Sequence, residues 1–145
     1  MAWHNDLGKW GEEQAAKYLE EKGWYIRHRD WRDKHRDLDI VCIDANMTTL
    51  LIVEVKTRSS DYFKDPVESI TLEKQNNILK ASTAYRRFYN LWNLDLRIDT
   101  ICIVGTPGKM VRLDHQENAI DTYANYLYKE QQRKRAKYKK RPGCW

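Results

Sequence analysis

A chain of 145 residues, 41% of them hydrophobic and 32% charged, suits one domain with a single core and excludes an intrinsically disordered protein. No apolar run approaches the roughly 18 residues of a membrane-spanning helix, and the N-terminus lacks the pattern of a secretory signal peptide. The three cysteines are too widely spaced to predict a zinc site or a redox pair. We therefore expect a cytoplasmic protein that does not associate with membranes.

The net charge of +5 is concentrated near the C-terminus. Residues 129–141 contain eight Lys or Arg and one Glu, whereas the rest of the chain contains 18 basic and 20 acidic residues. We expect one folded domain over residues 1–128 and a basic, partly disordered tail over 129–145. Such a tail either adds phosphate contacts to a nucleic-acid binder or is a solvated extension, and the sequence leaves both readings open.

Apolar periodicity predicts the element order α-β-β-β-α-β-β-α around one sheet. Asp6 and Thr71 are the predicted N-caps of the first two helices, and Gly23 ends the first. Residues 27–37 and 57–66 are predicted polar links. The predicted elements are a helix over 6–22, strands over 24–27, 38–43 and 50–55, a helix over 71–92, strands over 96–104 and 110–113, and a helix over 118–128 that runs into the tail.

Two carboxylates interrupt the apolar strands of this predicted sheet. Glu54 follows the apolar run 50–53, and Asp39 has an apolar neighbour on each side. A carboxylate in a buried strand loses hydration energy unless a cation or a hydrogen-bond donor compensates. If the two strands pair as a hairpin, Asp39 and Glu54 converge. Lys56 then shares the face of Glu54, because alternate residues of a strand point the same way.

Two convergent carboxylates form an oxygen-rich site suited to Mg²⁺ or Mn²⁺. Such an ion polarises a phosphoryl oxygen and lowers the pKa of bound water, while Lys56 can orient the water or stabilise charge in the transition state. The alternative is a structural ion pair between a Lys and one of the acids at the end of the sheet. The residues alone leave both interpretations open.

Several segments resemble the motifs of a known family. Asp39 followed by Glu54-Val55-Lys56 resembles the PD-(D/E)XK nuclease superfamily, in which an Asp on one strand precedes Glu-x-Lys on the next. More closely, residues 8–120 are similar to the YraN-like family of bacterial proteins, which is related to Holliday-junction resolvases. The matching segments are Gly8–Ala16, Arg36–Val41, Val53–Arg58, Pro66–Ile70 with Lys74, Arg97–Asp99 and His115–Ala119.

The resemblance implies an α/β protein with a restriction-endonuclease-like core, a central mixed sheet flanked by helices. It implies that Asp39 and Glu54 bind the metal and that Lys56 is catalytic. Glu12 matches a Glu on the first helix that joins the site in related resolvases. Alternatively, Glu12 is a first-turn acid that interacts favourably with the helix dipole. The resolvase relationship also implies branched or damaged DNA as substrate and a homodimer.

The chain departs from the family pattern close to the predicted site. Arg36 stands where Gly is usual, and Asp37 stands where Glu is usual. The segment 63–66 lacks the Gly that often precedes its Pro. These changes affect the expected loop geometry and leave Asp39, Glu54 and Lys56 in place.

Three basic residues are predicted to contact nucleic acid: Arg36, Arg58 and Lys74. Lys74 lies near a helix N-terminus, where phosphate binds readily. The alternative for Lys74, and for Glu68 beside it, is a capping or surface charge.

Several further side chains have predicted roles. Phe88 and Trp92 are expected to face the core. Trp31 either stacks on a base or packs on the domain. Asp99 is predicted to pair with a nearby Arg, and His115 to be structural.

The leading hypothesis is a Mg²⁺- or Mn²⁺-dependent endonuclease that acts on DNA. A second hypothesis is a nuclease fold that binds nucleic acid without cutting it. A third is a structural protein that binds neither metal nor nucleic acid.

Overall fold

The structure is a computed structural model that describes residues 2–60 and 70–139. The predicted element order is confirmed. The elements are α1 (Ala2–Glu21), β1 (Tyr25–Asp33), β2 (Arg36–Ile43), β3 (Thr49–Arg58), α2 (Leu72–Tyr89), β4 (Asp95–Thr106), β5 (Lys109–Gln116) and α3 (Thr122–Lys139). None of the described helices is long and apolar enough to cross a membrane.

The five strands form one mixed sheet in the order β1-β2-β3-β4-β5. The pairs β1–β2, β2–β3 and β4–β5 are antiparallel, whereas β3 and β4 are parallel and are connected through α2. The α/β class, with a mixed sheet flanked by helices, is therefore confirmed and is consistent with a restriction-endonuclease-like core.

Each face of the sheet carries its own hydrophobic cluster, because side chains alternate along a strand. Both clusters run along β2, β3 and β4, so these central strands are apolar on both faces. The cluster on the α1 face includes Ala15, Leu19, Ile40, Leu51, Val53 and Ile101. The cluster on the α2 face includes Ile78, Tyr85, Val41, Leu50, Ile52 and Ile98.

The predicted polar link over 27–37 is wrong. β1 continues to Asp33 and returns through a tight turn into β2, with Lys34 at a φ of 58°. β1 is an edge strand that carries several Arg and Asp residues, which keep an exposed edge from pairing with other chains. This composition hides the alternation by which a strand is recognised.

The ends of the first two helices depart from prediction in part. α1 begins at Ala2, so Asp6 lies inside the helix and is not its N-cap. Gly23, at a φ of 95°, ends α1 as predicted. Thr71 is the N-cap of α2, as predicted, and its side chain accepts a hydrogen bond from the backbone N–H of Lys74.

The expected core positions at the end of α2 are wrong. The helix ends at Tyr89 because Asn90 adopts the left-handed conformation. Phe88 is 74% exposed and Trp92 is 49% exposed. Both side chains lie on the surface.

The C-terminal elements are longer than predicted. β5 extends to Gln116 and therefore contains His115, which lies beyond the predicted strand 110–113. α3 begins at Thr122 and continues to Lys139, through most of the segment expected to form the tail. Glu68 and residues 63–66 lie outside the described residues.

Candidate active site

The sheet opens between β2 and β3 at the predicted carboxylates. The β2–β3 ladder ends with the pair Ile40–Val53. The next residue along is Asp39 on β2 and Glu54 on β3. Here Oδ2 of Asp39 accepts a hydrogen bond from the backbone N–H of Val55 at 2.8 Å. A side chain thus replaces a ladder contact. The residues of β2 that precede Asp39 remain paired with β1.

This opening brings the two acids together in a poorly solvated place. Glu54 is only 6% exposed and Asp39 is half-buried. Burial, and after it the repulsion from Glu54, raises the pKa of Asp39 to about 8. The surrounding protein and water therefore stabilise negative charge on these two acids poorly.

Lys74, in the first turn of α2, provides one positive charge. Its Nζ lies 2.8 Å from Oε1 of Glu54, and this hydrogen bond raises the pKa of Lys74. A Glu–Lys ion pair at the end of the sheet, one of the two readings of the sequence, is therefore present. Its lysine comes from α2, and one oxygen of Glu54 is engaged by it.

Glu12 approaches the same region from the other face of the sheet. α1 packs closely on β3 at Gly11, where a Cβ would lie 1.8 Å from Oγ1 of Thr57. The next residue, Glu12, is half-buried. Its pKa is raised mainly by burial, and to a lesser extent by repulsion from Asp30. Weaker repulsion comes from Glu54 and Asp37, so Glu12 lies within electrostatic reach of the carboxylate pair.

The predicted basic residues divide between two places. Lys56 and Arg58 follow Glu54 on β3 at two-residue intervals, and both are half-buried. Alternation places them on the face of Glu54. Arg36 lines a groove formed with the second half of α2, so it does not join Lys74 at the carboxylates.

The donor set suits a magnesium-like ion only if water or substrate completes the coordination. Within residues 2–60 and 70–139, no group of three or more His, Cys, Asp or Glu side chains is arranged to hold a metal. Mg²⁺ is commonly held by one or two carboxylates together with waters and substrate phosphates. Asp39 and Glu54 fit that pattern, since they place two adjacent carboxyl groups, one half-buried and one buried, at one point of the sheet.

A second polar cluster lies on the α1 face and is fully bonded. Asp99 is buried and accepts hydrogen bonds from Arg97, from His115 and from the backbone N–H of Asn118. His115 also bonds to the hydroxyl of Tyr18 at 3.0 Å. The predicted pairing of Asp99 with an Arg is confirmed, and His115 joins the same structural network.

Trp31 packs on the domain. It lies on β1 and contacts Tyr85 edge-on, with 5.1 Å between ring centroids. Of its two predicted roles, the structure shows the packed one.

Comparison with known proteins gives one family. The sequence model of the family described as uncharacterised protein family UPF0102 matches residues 11–103. A UPF0102 protein of Bacteroides thetaiotaomicron is 44% identical over 119 residues, which cover 82% of this chain and 95% of the relative. A UPF0102 protein of Chlorobium phaeobacteroides is 40% identical over 123 residues, covering 81% and 96%. These matches confirm the YraN-like resemblance.

Among solved structures, the chain is similar to one titled as Pyrococcus furiosus SfsA in complex with Ca²⁺. The TM-score is 0.36 and the sequence identity is 11%, over 73% of this chain and 62% of the other. A likeness of this degree supports no inference about function.

Proposed function

This chain belongs to the uncharacterised protein family UPF0102, and we propose that it is a metal-dependent nuclease that hydrolyses phosphodiester bonds of DNA. The observation that carries the proposal is the side-by-side placement of Asp39 and Glu54 where β2 and β3 separate. Two poorly solvated acids at one point make folding less favourable unless a cation or a proton neutralises them. A carboxylic acid with a raised pKa, such as Asp39, occurs preferentially at functional sites.

Asp39 and Glu54 are the proposed ligands of Mg²⁺ or Mn²⁺. When bound, the ion supplies Lewis-acid polarisation of a phosphoryl oxygen and a lowered pKa of water. The hydrogen bond from Val55 to Asp39 fixes one carboxylate, and the burial of Glu54 excludes bulk water from the other. Both groups are thereby held in place before the substrate arrives.

Lys56 is the proposed catalytic lysine, because it lies two residues after Glu54 on the same strand face. Its ammonium would stabilise the negative charge that develops on the phosphoryl oxygens. Glu12 would support the site from the α1 side, by attracting cations or by orienting water. Lys74 and Arg58 would contact the phosphates that flank the scissile bond.

The second candidate function is nucleic-acid binding without cleavage. One observation favours it: Lys74 already neutralises Glu54, so the site is partly compensated by the protein itself. This candidate predicts salt-dependent binding and no hydrolysis in any divalent ion.

The test is a cleavage assay on linear duplex, nicked, four-way and single-stranded DNA, with Mg²⁺, Mn²⁺ or EDTA. We expect cleavage only with a divalent ion. Glu54→Gln and Asp39→Asn should lower the rate by about 100-fold or more, as does the loss of other charge-stabilising groups. Glu73→Gln, an exposed acid in the same turn of α2 as Lys74, is the matched control and should cleave normally. Equal cleavage by Glu54→Gln and wild type would end the proposal.

A further inference from the structure

A groove of about 940 Å³ lies away from the carboxylate site. Its walls are the turn between β1 and β2, the outer face of the second half of α2, the segment 92–96 and the start of α3. These parts of the chain are far apart in sequence, so no sequence pattern revealed the groove.

The groove is basic. Five of its lining residues are Lys or Arg and two are Asp. The basic residues are Lys34, Arg36, Lys80, Arg86 and Arg87. The acidic ones are Asp33 and Asp95. Such a surplus of positive charge in a concave surface attracts a polyanion.

The groove also presents an aromatic side chain in a fixed position. Arg86 donates hydrogen bonds to the backbone carbonyls of Leu91, Trp92 and Leu94, at 3.4, 3.1 and 2.9 Å. Its guanidinium also lies over the indole of Trp92, 5.1 Å from the ring centroid. The loop that carries Trp92 is therefore held to the helix, while Trp92 itself remains 49% exposed.

We propose that this groove binds single-stranded nucleic acid. Lys34, Lys80 and Arg87, which are exposed, would contact phosphates, and Trp92 would stack on a base. Stacking on an indole needs a base that has left its own stack, which a single strand offers and the interior of a duplex does not. A groove that combines a cationic wall with one rigid aromatic suits this ligand better than it suits duplex DNA.

The groove lies along the same helix as the proposed nuclease site. Lys74 is six residues before Lys80 and thirteen before Arg87, which corresponds to about 9 and 20 Å along the helix axis. A nucleic-acid strand bound in the groove could extend toward Asp39 and Glu54. Binding itself goes beyond the proposed function, because it requires neither Asp39 nor Glu54.

The test is fluorescence anisotropy with a labelled oligothymidylate in EDTA, so that no cleavage intervenes. We expect the double variant Lys80→Glu/Arg87→Glu to bind at least tenfold more weakly. The slope of log binding constant against log salt concentration should fall in magnitude by about 1.4, the value for two single-strand phosphate contacts. Trp92→Ala should weaken binding several-fold with little change of slope, and Trp92→Phe should restore most of the affinity.

The matched control is Lys9→Glu/Lys17→Glu, which changes the net charge equally at two exposed sites on α1. Melting curves establish that each variant folds. The proposal is overturned if the groove variants bind as wild type, if the control weakens binding as much, or if duplex competes equally well. Because binding in EDTA needs no divalent ion whereas cleavage does, failure of the groove and failure of the nuclease site give different results.

Discussion

Nζ of Lys74 lies 2.8 Å from Oε1 of Glu54, and this contact joins the first turn of α2 to the middle of β3. The contact has two consequences. It stabilises a carboxylate that is only 6% exposed, and it holds the position that a metal ion would compete for. The ion pair and the proposed metal site are therefore linked.

Lys74→Met should separate the two roles. Removal of the ammonium leaves the charge of Glu54 unpaired, and we expect a loss of roughly 1–2 kcal/mol in the free energy of unfolding, reduced from the buried-pair value because Lys74 is half-exposed. Added Mn²⁺ should then stabilise the variant more than wild type. Denaturant unfolding with and without Mn²⁺ measures both effects. Lys80→Met is the control, since it removes an exposed lysine from the same helix. A variant as stable as wild type would show that the pair contributes nothing.

Stability should depend on pH through Asp39, whose pKa burial and Glu54 raise to about 8. Because an unfolded Asp has a pKa of about 3.9, the folded protein binds this proton more tightly. The resulting stabilisation is present in full below about pH 4 and is lost as the pH rises through about 8. Asn at position 39 does not titrate, so the Asp39→Asn variant should not lose stability in this pH range. In EDTA, its melting temperature relative to wild type should increase between about pH 5 and 9. A constant difference would contradict the raised pKa.

A metal ion that displaces the proton of Asp39 should bind better at higher pH. The shift in melting temperature that Mg²⁺ causes should therefore be larger near pH 8.5 than near pH 6. In Asp39→Asn, the shift should be small at both values. An equal shift at both pH values in wild type would place the ion elsewhere.

Gly11 allows α1 to approach β3 and so places Glu12 near the carboxylates. In Gly11→Ala, the new Cβ would lie 1.8 Å from Oγ1 of Thr57, and we expect a loss of about 1–3 kcal/mol through overpacking. Adding Thr57→Ala should restore part of the loss. Gly8→Ala is the control, because no heavy atom lies within 4 Å of its Cβ position. That substitution should raise stability by up to about 1 kcal/mol. Thermal unfolding of the four proteins tests the packing, and equal effects at both glycines would refute it.

Asp99 should matter for stability and not specifically for cleavage. Asp99→Ala leaves Arg97 and His115 without their buried acceptor, so we expect a loss of about 3–5 kcal/mol. Asp95→Ala removes an exposed acid from the same strand and should change stability little. If Asp99→Ala folds at low temperature, its cleavage rate per folded molecule should match wild type. A selective loss of cleavage would assign Asp99 to the active site.

Much of the fold could be predicted because the central strands carry local signals. The apolar runs around Asp39 and Glu54, the cap at Thr71 and the stop at Gly23 each depend on neighbouring residues alone. The same signals identified two acids that buried strands tolerate poorly. The second half of β1, residues 28–33, was missed because an edge strand needs no apolar alternation. Trp92 lies outside α2 because Asn90 ends the helix.

The contacts that complete the site depend on tertiary structure. Nothing local in the sequence links Lys74 with Glu54, which are twenty residues apart, or brings Trp92 and Lys34 into the lining of one groove. The hydrogen bond from Val55 to Asp39 likewise requires that β2 and β3 separate at that position. Motifs could identify the acids, whereas the groove is formed only by the tertiary structure.

The most direct test of the account is isothermal titration calorimetry of the wild-type protein with Mn²⁺ near pH 8. The account predicts a saturable heat of binding that disappears in both Asp39→Asn and Glu54→Gln and persists in Glu73→Gln. Absence of Mn²⁺ binding by the wild type, or unchanged binding by the two site variants, would contradict it.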